Sequence, residues 1–219
     1  MTSVRVFWAL VFVAMLPGGA RADGGAPEKV SIPAGPRWKV LSRFAEGDSY
    51  YSVVDEGGAK LLRARYRPGR DTVILYAELD LPGHFRTLRW RWRVHKFPEG
   101  ADEAIEGRRD SAGAVYVYFE ATVRKYVLKY VWSVKHPPGF NFRGNNSRLF
   151  QKIHLVVKDG PPAATEEWRL ASAPLDEDFH RYFGADVDVP SIVGLGVLTD
   201  GDGTNTEVIA DYADFELER

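Results

Sequence analysis

"TLRWRWRVHKFPEG" (residues 87–100) decides the architecture. Side chains alternate across a strand, so Leu88, Trp90, Trp92 and Val94 share one face and Arg89, Arg91 and Arg93 the other. A tryptophan buries ~150–250 Å², so a face with two of them belongs to a core. The arginine row behind it spans about 13 Å at strand rise. Like charges in a row repel, and acids, solvent or an acidic ligand must offset them. Guanidinium forks match carboxylates and phosphates bidentately. The row therefore reads either as a face for an acidic ligand or as a solvated outer face paired with acids such as Glu78 or Glu120.

The same alternation, rich in β-branched and aromatic residues, recurs along the chain. It predicts strands over 38–44, 50–56, 59–66, 71–79, 87–94, 113–121, 126–133, 149–158, 166–171, 192–199 and 208–217. "DEDFHRYFG" (176–184) is the one good helix pattern, acidic at its start and stopped by Gly184. Many short strands with little helix predict an all-β, two-sheet antiparallel sandwich, one domain over 37–219. In "GAVYVYFEA" (113–121) Val115, Val117 and Phe119 oppose Tyr116, Tyr118 and Glu120. If this strand neighbours 87–94 in one sheet, at ~4.8 Å spacing, the arginines lie beside the tyrosines.

The chain's start has the layout of a cleavable secretory signal. Arg5 precedes an apolar run from Val6 to Leu16, and Ala20-Arg21-Ala22 supplies a cleavage site. Residues 1–22 are read as this signal and 23–36, rich in Gly, Pro and Ala, as a flexible lead-in. The run falls short of the ~20 apolar residues a membrane helix needs, and no later segment approaches that length. The protein is expected to be a periplasmic or secreted monomer. It has no cysteine, which excludes disulfides, a lipid-modified cysteine, thiolate metal sites and a cysteine nucleophile. Cleavage removes Arg5 and Arg21 and leaves the charge slightly negative, so nothing favours nucleic acid.

The ordered motifs "RWRWRV", "RRDSAGAVYVYFE", "LKYVWS", "FHRYFG" and "GLGVLTDGDGTNTEVIADYADFEL" resemble the bacterial domain-of-unknown-function family numbered 3047, over roughly Phe44 to Leu217. The resemblance implies an exported jelly roll of the galactose-binding-like type, with "ADYADFEL" as its closing strand. It brings no activity. The family commonly carries two adjacent acids before its central strand. Here Asp110 is followed by Ser111, which departs from that pattern.

Three stretches carry candidate chemistry. The arginine row with Tyr116 and Tyr118 suits an acidic glycan. "SVKHPPGFNFRGNNSR" (133–148) is a long loop holding Lys135, His136 and Phe140, and such loops on rigid scaffolds often bind. In "TDGDGTNTE" (199–207), Asp200 and Asp202 are candidate Ca²⁺ ligands, with Asp211 or Asp214 as further donors. An EF-hand register starting at Asp200 fails, because its sixth position is Asn205 where Gly is needed; the plain alternative is a polar turn. No catalytic residue is assigned. The five histidines show no metal-ligand spacing, and there is no G-x-S-x-G elbow or phosphate loop. The expected function is a non-catalytic binding module for a glycan or other envelope polymer through Arg89, Arg91, Arg93, Tyr116 and Tyr118, with Lys135, His136 and Phe140 at the rim. No cofactor is expected beyond a structural Ca²⁺. The alternatives are a polysaccharide hydrolase or lyase using Asp110, His154 or nearby acids, and a structural or protein-interaction module.

Overall fold

A computed structural model describes residues 28–41, 49–120, 125–144, 151–161 and 165–219. The signal-like segment 1–22, residues 42–44 of the first expected strand and the end of the 133–148 loop lie outside the described residues. The structure is a two-sheet β-sandwich of jelly-roll type. Its strands are β1 (Lys29–Ile32), β2 (Trp38–Val40), β3 (Tyr51–Glu56), β4 (Ala59–Tyr66), β5 (Leu75–Glu78), β6 (Thr87–Lys96), β7 (Gly113–Phe119) and β8 (Lys125–Trp132). They continue with β9 (Asn141–Arg143), β10 (Gln151–Asp159), β11 (Arg169–Pro174), helix α1 (Leu175–Phe183), β12 (Ile192–Leu198) and β13 (Val208–Glu218).

The first sheet runs β11-β6-β13-β4-β3, with β1 also paired to β13; the second runs β2-β5-β12-β7-β8-β10-β9. Two expectations change here. Residues 29–32, read as flexible lead-in, form β1 in antiparallel register with Glu218 to Phe215. Val30, Ile32 and the paired Leu217 and Phe215 all pack on the core. The second sheet is mixed, because β10 pairs parallel to β8. A parallel pair needs a crossover of a dozen or more residues, and the long 133–150 connection supplies it. Part of that connection, β9, pairs antiparallel with the edge of β10.

The core forms where the tryptophan face of β6 meets the inner face of β8. Trp90 lies 5.7 Å from Tyr130 and Trp92 5.7 Å from Trp132 by ring centroid, and all four are essentially buried. Since β6 and β8 belong to different sheets, these contacts join the two layers. Trp92 Nε1 also donates to Asp159 Oδ2 at 2.7 Å. Three tyrosine hydroxyls add polar stitching. Tyr50 bonds the carbonyls of Val73 and Thr199, Tyr51 those of Val73 and Val197, and Tyr212 that of Leu198. The end of β12 is thereby tied to the first sheet.

The closing strand changes phase at a bulge. Val208, Ala210 and Tyr212 point inward, then Phe215 and Leu217 do. Asp214, at φ 53°, absorbs the extra residue, a left-handed conformation that Asp tolerates better than most. Trp92→Ala is expected to cost about 3–5 kcal/mol of stability, the range for truncating a buried aromatic residue. Arg91→Ala, one position away on the solvent side, should stay within about 1 kcal/mol; urea unfolding of both variants checks the contrast.

Candidate functional site

The structure separates the arginine row from the tyrosines. β6 lies in the first sheet between β11 and β13, and β7 in the second between β12 and β8. The two residue sets therefore occupy opposite outer faces of the sandwich. Neighbour β13 supplies the counter-charges that the sequence reading sought in Glu78 and Glu120. Arg89 meets Glu218 at 3.1 Å, Arg91 meets Asp214 at 2.6 Å, and Arg93 meets both Asp211 and Glu56 at 2.8 Å. Arg91 and Arg93 also cover the Trp168 ring at 5.0 and 4.5 Å. Asp211, fully buried, accepts from Arg63 twice at 2.7 Å, from Arg93 and from His95. Burial alone would raise its carboxyl, but the bonds from Arg63, His95 and Arg93 outweigh that and hold it below its ordinary value. Asp211 and Asp214 are thus committed to arginines and are not available to the 199–207 loop as metal ligands.

The tyrosines stand on a different kind of surface. Tyr76, Tyr118 and Tyr116 form a path across the outer face of the second sheet. Tyr76 and Tyr118 meet edge-on at 5.3 Å, and Tyr118 and Tyr116 lie near-parallel at 6.0 Å. Lys129 sits 5.5 Å over the Tyr116 ring. Two glycines of "GLGV" make this possible. A Cβ on Gly194 would lie 2.1 Å from the Tyr76 hydroxyl, and one on Gly196 would lie 3.2 Å from the Tyr118 ring. The rings therefore rest on bare backbone, and Tyr76 is anchored by donating to the Val193 carbonyl at 3.0 Å. Tyr116 is buried, while Tyr76 and Tyr118 are part-buried. Beside them Val127, Val131, Leu155 and Val157 extend the same face as a second apolar cluster.

The described part of the 133–148 loop packs on this cluster. Phe140 and Phe142 join it. His136 stacks on Phe140 at 3.8 Å and bonds Asp102 at 2.8 Å. Ser133 Oγ organises the turn by accepting from the backbone of Lys135 and His136 and donating to Glu103 at 2.6 Å. Lys135 itself is exposed. The structure thus brings Tyr116, Tyr118, His136 and Phe140 to one face, with Lys135 at its border. Sequence reasoning missed Tyr76 and Lys129. The signal for Tyr76 was the "GLG" pair, a strand without side chains that needs rings from a neighbour.

Asp110, Asp200 and Asp202 place carboxylate oxygens within 4.8 Å of one another. Asp110 accepts from the backbone of Gly203 and Thr204 and from Thr204 Oγ1, so it clamps the loop and meets the donors that a Ca²⁺ ion would displace. Asp200 accepts from the Ser111 backbone N–H at 2.8 Å, a bond that does not depend on the serine side chain. Hard cations want six to eight oxygens, and three carboxylates with Asp110 already engaged supply only part of such a shell. Burial pushes Asp200 up to about 7 against the pull of Lys129, and it also raises Glu103 above its ordinary value. The Asp110 and His154 of the enzymatic alternative make no contact with each other. Asp110 serves this loop, whereas His154 stacks on Tyr182.

The two buried acids act in opposite directions with pH. Asp211 has a depressed folded pKa, so its contribution is complete above the unfolded value of about 3.9 and is lost as pH falls through the folded one. Asp211→Asn should cost roughly 3–5 kcal/mol near neutral pH and lessen the protein's sensitivity to acid, since the part-buried Arg63 loses its carboxylate and Arg93 one of its two. Asp200 has a raised folded pKa. It favours the fold at pH below the unfolded pKa of about 3.9, and that advantage is lost as pH rises through about 7. Asp200→Asn should therefore leave stability at pH 3 nearly unchanged and raise it progressively from about pH 4 to pH 8. Urea unfolding from pH 3 to 9 measures both; a wild-type rise in stability between pH 6 and 8 would contradict the Asp200 assignment.

The fold is similar to a family 11 carbohydrate-binding module from Clostridium thermocellum in complex with a β-1,3-1,4-mixed-linked tetrasaccharide (10% identity, TM-score 0.46, 88% of this chain and 95% of that one). It is also similar to endoglucanase cel12A from Rhodothermus marinus (8% identity, TM-score 0.45, 88% and 99%) and to the xyloglucanase domain of NopAA, a type three effector from Sinorhizobium fredii (10% identity, TM-score 0.38, 88% and 99%). At these identities the likeness is one of fold alone. No curated protein matches the sequence. Over most of its length the sequence fits one family model, described as "Protein of unknown function (DUF3047)", which matches residues 36–216; the chain belongs to that family.

Proposed function

We propose that this chain is an exported, non-catalytic module that binds a glycan on the outer face of its second sheet. The carrying observation is the Tyr76–Tyr118–Tyr116 path laid over Gly194 and Gly196. Part-exposed aromatic rings offer apolar faces to the C–H faces of sugars and hydroxyls to their oxygens. The neighbouring strands hold these rings in place, so little order must be gained on binding. Lys129 and the His136–Phe140 pair flank the path with a cation and a further aromatic stack. The arginine row is no longer part of the reading, because each of its charges is matched. Export rests on the signal layout of residues 1–22; among the described residues no helix is long and apolar enough to cross a membrane.

A hydrolase reading has one observation in its favour. Glu103 and Asp200 are two carboxyls with raised pKa values, both within the field of Lys129, and raised carboxyls are what a general acid requires. Both are buried, however, at 1% and 7% exposure, and Ser133 and the Ser111 backbone occupy an oxygen of each. They are placed to hold loops, and binding is the reading the geometry favours.

Affinity electrophoresis against soluble neutral and acidic polysaccharides tests it. At least one polysaccharide should retard the wild type, and Tyr118→Ala and Tyr76→Ala should weaken that retardation about tenfold, near the ~1.4 kcal/mol that one lost stacking contact can represent. Arg91→Ala should bind as the wild type does. Retardation by none of the polysaccharides, or equal loss with Arg91→Ala, overturns the proposal. Release of reducing ends in the same mixtures would establish the hydrolase instead.

A further inference from the structure

The margin where α1 meets the inward face of β10 carries cations that, among the described residues, no acid balances. On β10, Lys152 and His154 point to the same side, in register with Tyr126 and Leu128 of β8. Arg143 of β9 lies directly opposite His154. Side chains two apart on a strand are ~6.6–7 Å apart and cross-strand partners closer still, so the three groups form one cluster. Lys152 covers the Tyr126 ring at 5.3 Å and makes no ion pair among the described residues. Arg143 is exposed and likewise makes none. Asp178, whose charge acts on His154, is already used: it accepts from Tyr130 at 3.0 Å and pairs with Lys158 at 3.5 Å. Glu177, exposed on α1, forms no ion pair either, and the connecting sequence "NNSRLF" (145–150) contains no acid.

Between the cations lies a flat platform. The His154 and Tyr182 rings stack at 4.0 Å and 14°, and His154 Nε2 is 3.1 Å from Asn141 Oδ1. Burial and the Arg143 charge lower the His154 pKa, which favours the neutral ring and leaves the fixed positive charge to Arg143 and Lys152. On β6, by contrast, every arginine has a carboxylate partner. The acidic ligand that the sequence suggested for Arg89, Arg91 and Arg93 has no open charge to meet there, whereas at the margin Arg143 and Lys152 make no ion pair among the described residues and adjoin an aromatic stack.

We infer that this margin is a second binding site, taking an acidic oligosaccharide of the uronate class. Arg143 and Lys152 meet carboxylates, Tyr182 and His154 support a sugar ring, and Asn141, whose Oδ1 meets His154 and whose Nδ2 donates to the Gly139 carbonyl, has its second N–H left for a hydroxyl. The site shares no residue with the tyrosine path, so it stands or falls separately.

Calorimetric titration of the full chain with oligogalacturonate, and with its methyl-esterified form, tests the inference. The free acid should bind, and the ester should bind about tenfold more weakly or not at all, as expected when charge-assisted bonds are lost. The Arg143→Glu/Lys152→Glu double variant should abolish binding, and Arg143→Gln, a milder change on an exposed side chain, should weaken it severalfold with an unchanged melting temperature. Tyr118→Ala and Arg91→Glu should have no effect. Failure of the wild type to bind, equal affinity for acid and ester, or undiminished binding by the double variant overturns the site. Binding to phosphatidylglycerol vesicles without binding to oligogalacturonate also overturns it, in favour of a membrane surface.

Discussion

Burial of one face of β6 is the constraint from which the rest of the molecule follows. Trp90 and Trp92 can leave water only if a second layer covers them, and Tyr130 and Trp132 of β8 provide it. The strand's period of two then forces Arg89, Arg91 and Arg93 outward. Three guanidinium groups on one face need counter-charge, and β13 supplies Asp211, Asp214 and Glu218. One of these acids depends on a bulge: the left-handed backbone at Asp214 turns its carboxylate to Arg91 and returns Phe215 to the core. The arginine row is thus a consequence of the tryptophan face, and its chemistry is completed within the protein.

The two outer faces of the sandwich solve different problems. The first sheet closes its outer face with charge: Arg63, Arg93, His95 and Asp211 form a connected network around a buried carboxylate. Such a network fixes side-chain positions, but breaking any one member leaves a charge unpaired. The second sheet turns an apolar and aromatic face outward, and part of its own crossover connection, through Phe140 and Phe142, folds back over one side of it. A surface whose polar groups are mutually satisfied gains little from a ligand. The part-exposed rings of Tyr76 and Tyr118 still have apolar area to bury.

The sequence made the fold legible because alternation is a local signal. The strand over 59–66 falls where the pattern puts it, the helix begins one residue early at Leu175, and the tryptophan face is buried as its spacing requires. What stayed hidden depends on partners distant in the chain. Lys29–Ile32 is a strand because β13 offers an edge, and four residues beside Gly and Pro show no such tendency alone. The parallel pairing of β10 with β8 depends on how a long connection closes. The candidate site was half legible. Alternation exposes Tyr116 and Tyr118 as a pair, but which face lies beside them is a matter of strand order, and placing β6 next to β7 wrongly joined the arginines to the tyrosines. Asp110 meets Asp200 and Asp202 only through loop packing, far from any sequence spacing.

One strand links the core to the candidate glycan face. The end of β12 is held from inside by the hydroxyls of Tyr50, Tyr51 and Tyr212, which bond the carbonyls of Val197, Leu198 and Thr199. On its outer side, Gly194 and Gly196 form the floor for Tyr76 and Tyr118. A strand with two glycines gives up side-chain packing and is intrinsically weak. Here the neighbouring layers make up for that weakness. Inner tyrosines bond its carbonyls, and outer tyrosines cover its bare backbone. Without a disulfide to restrain it, β12 owes its order to these ring and hydroxyl contacts. The same contacts fix the geometry of the exposed rings, so holding the strand in place and preparing a surface for a sugar are one arrangement of tyrosines around two glycines.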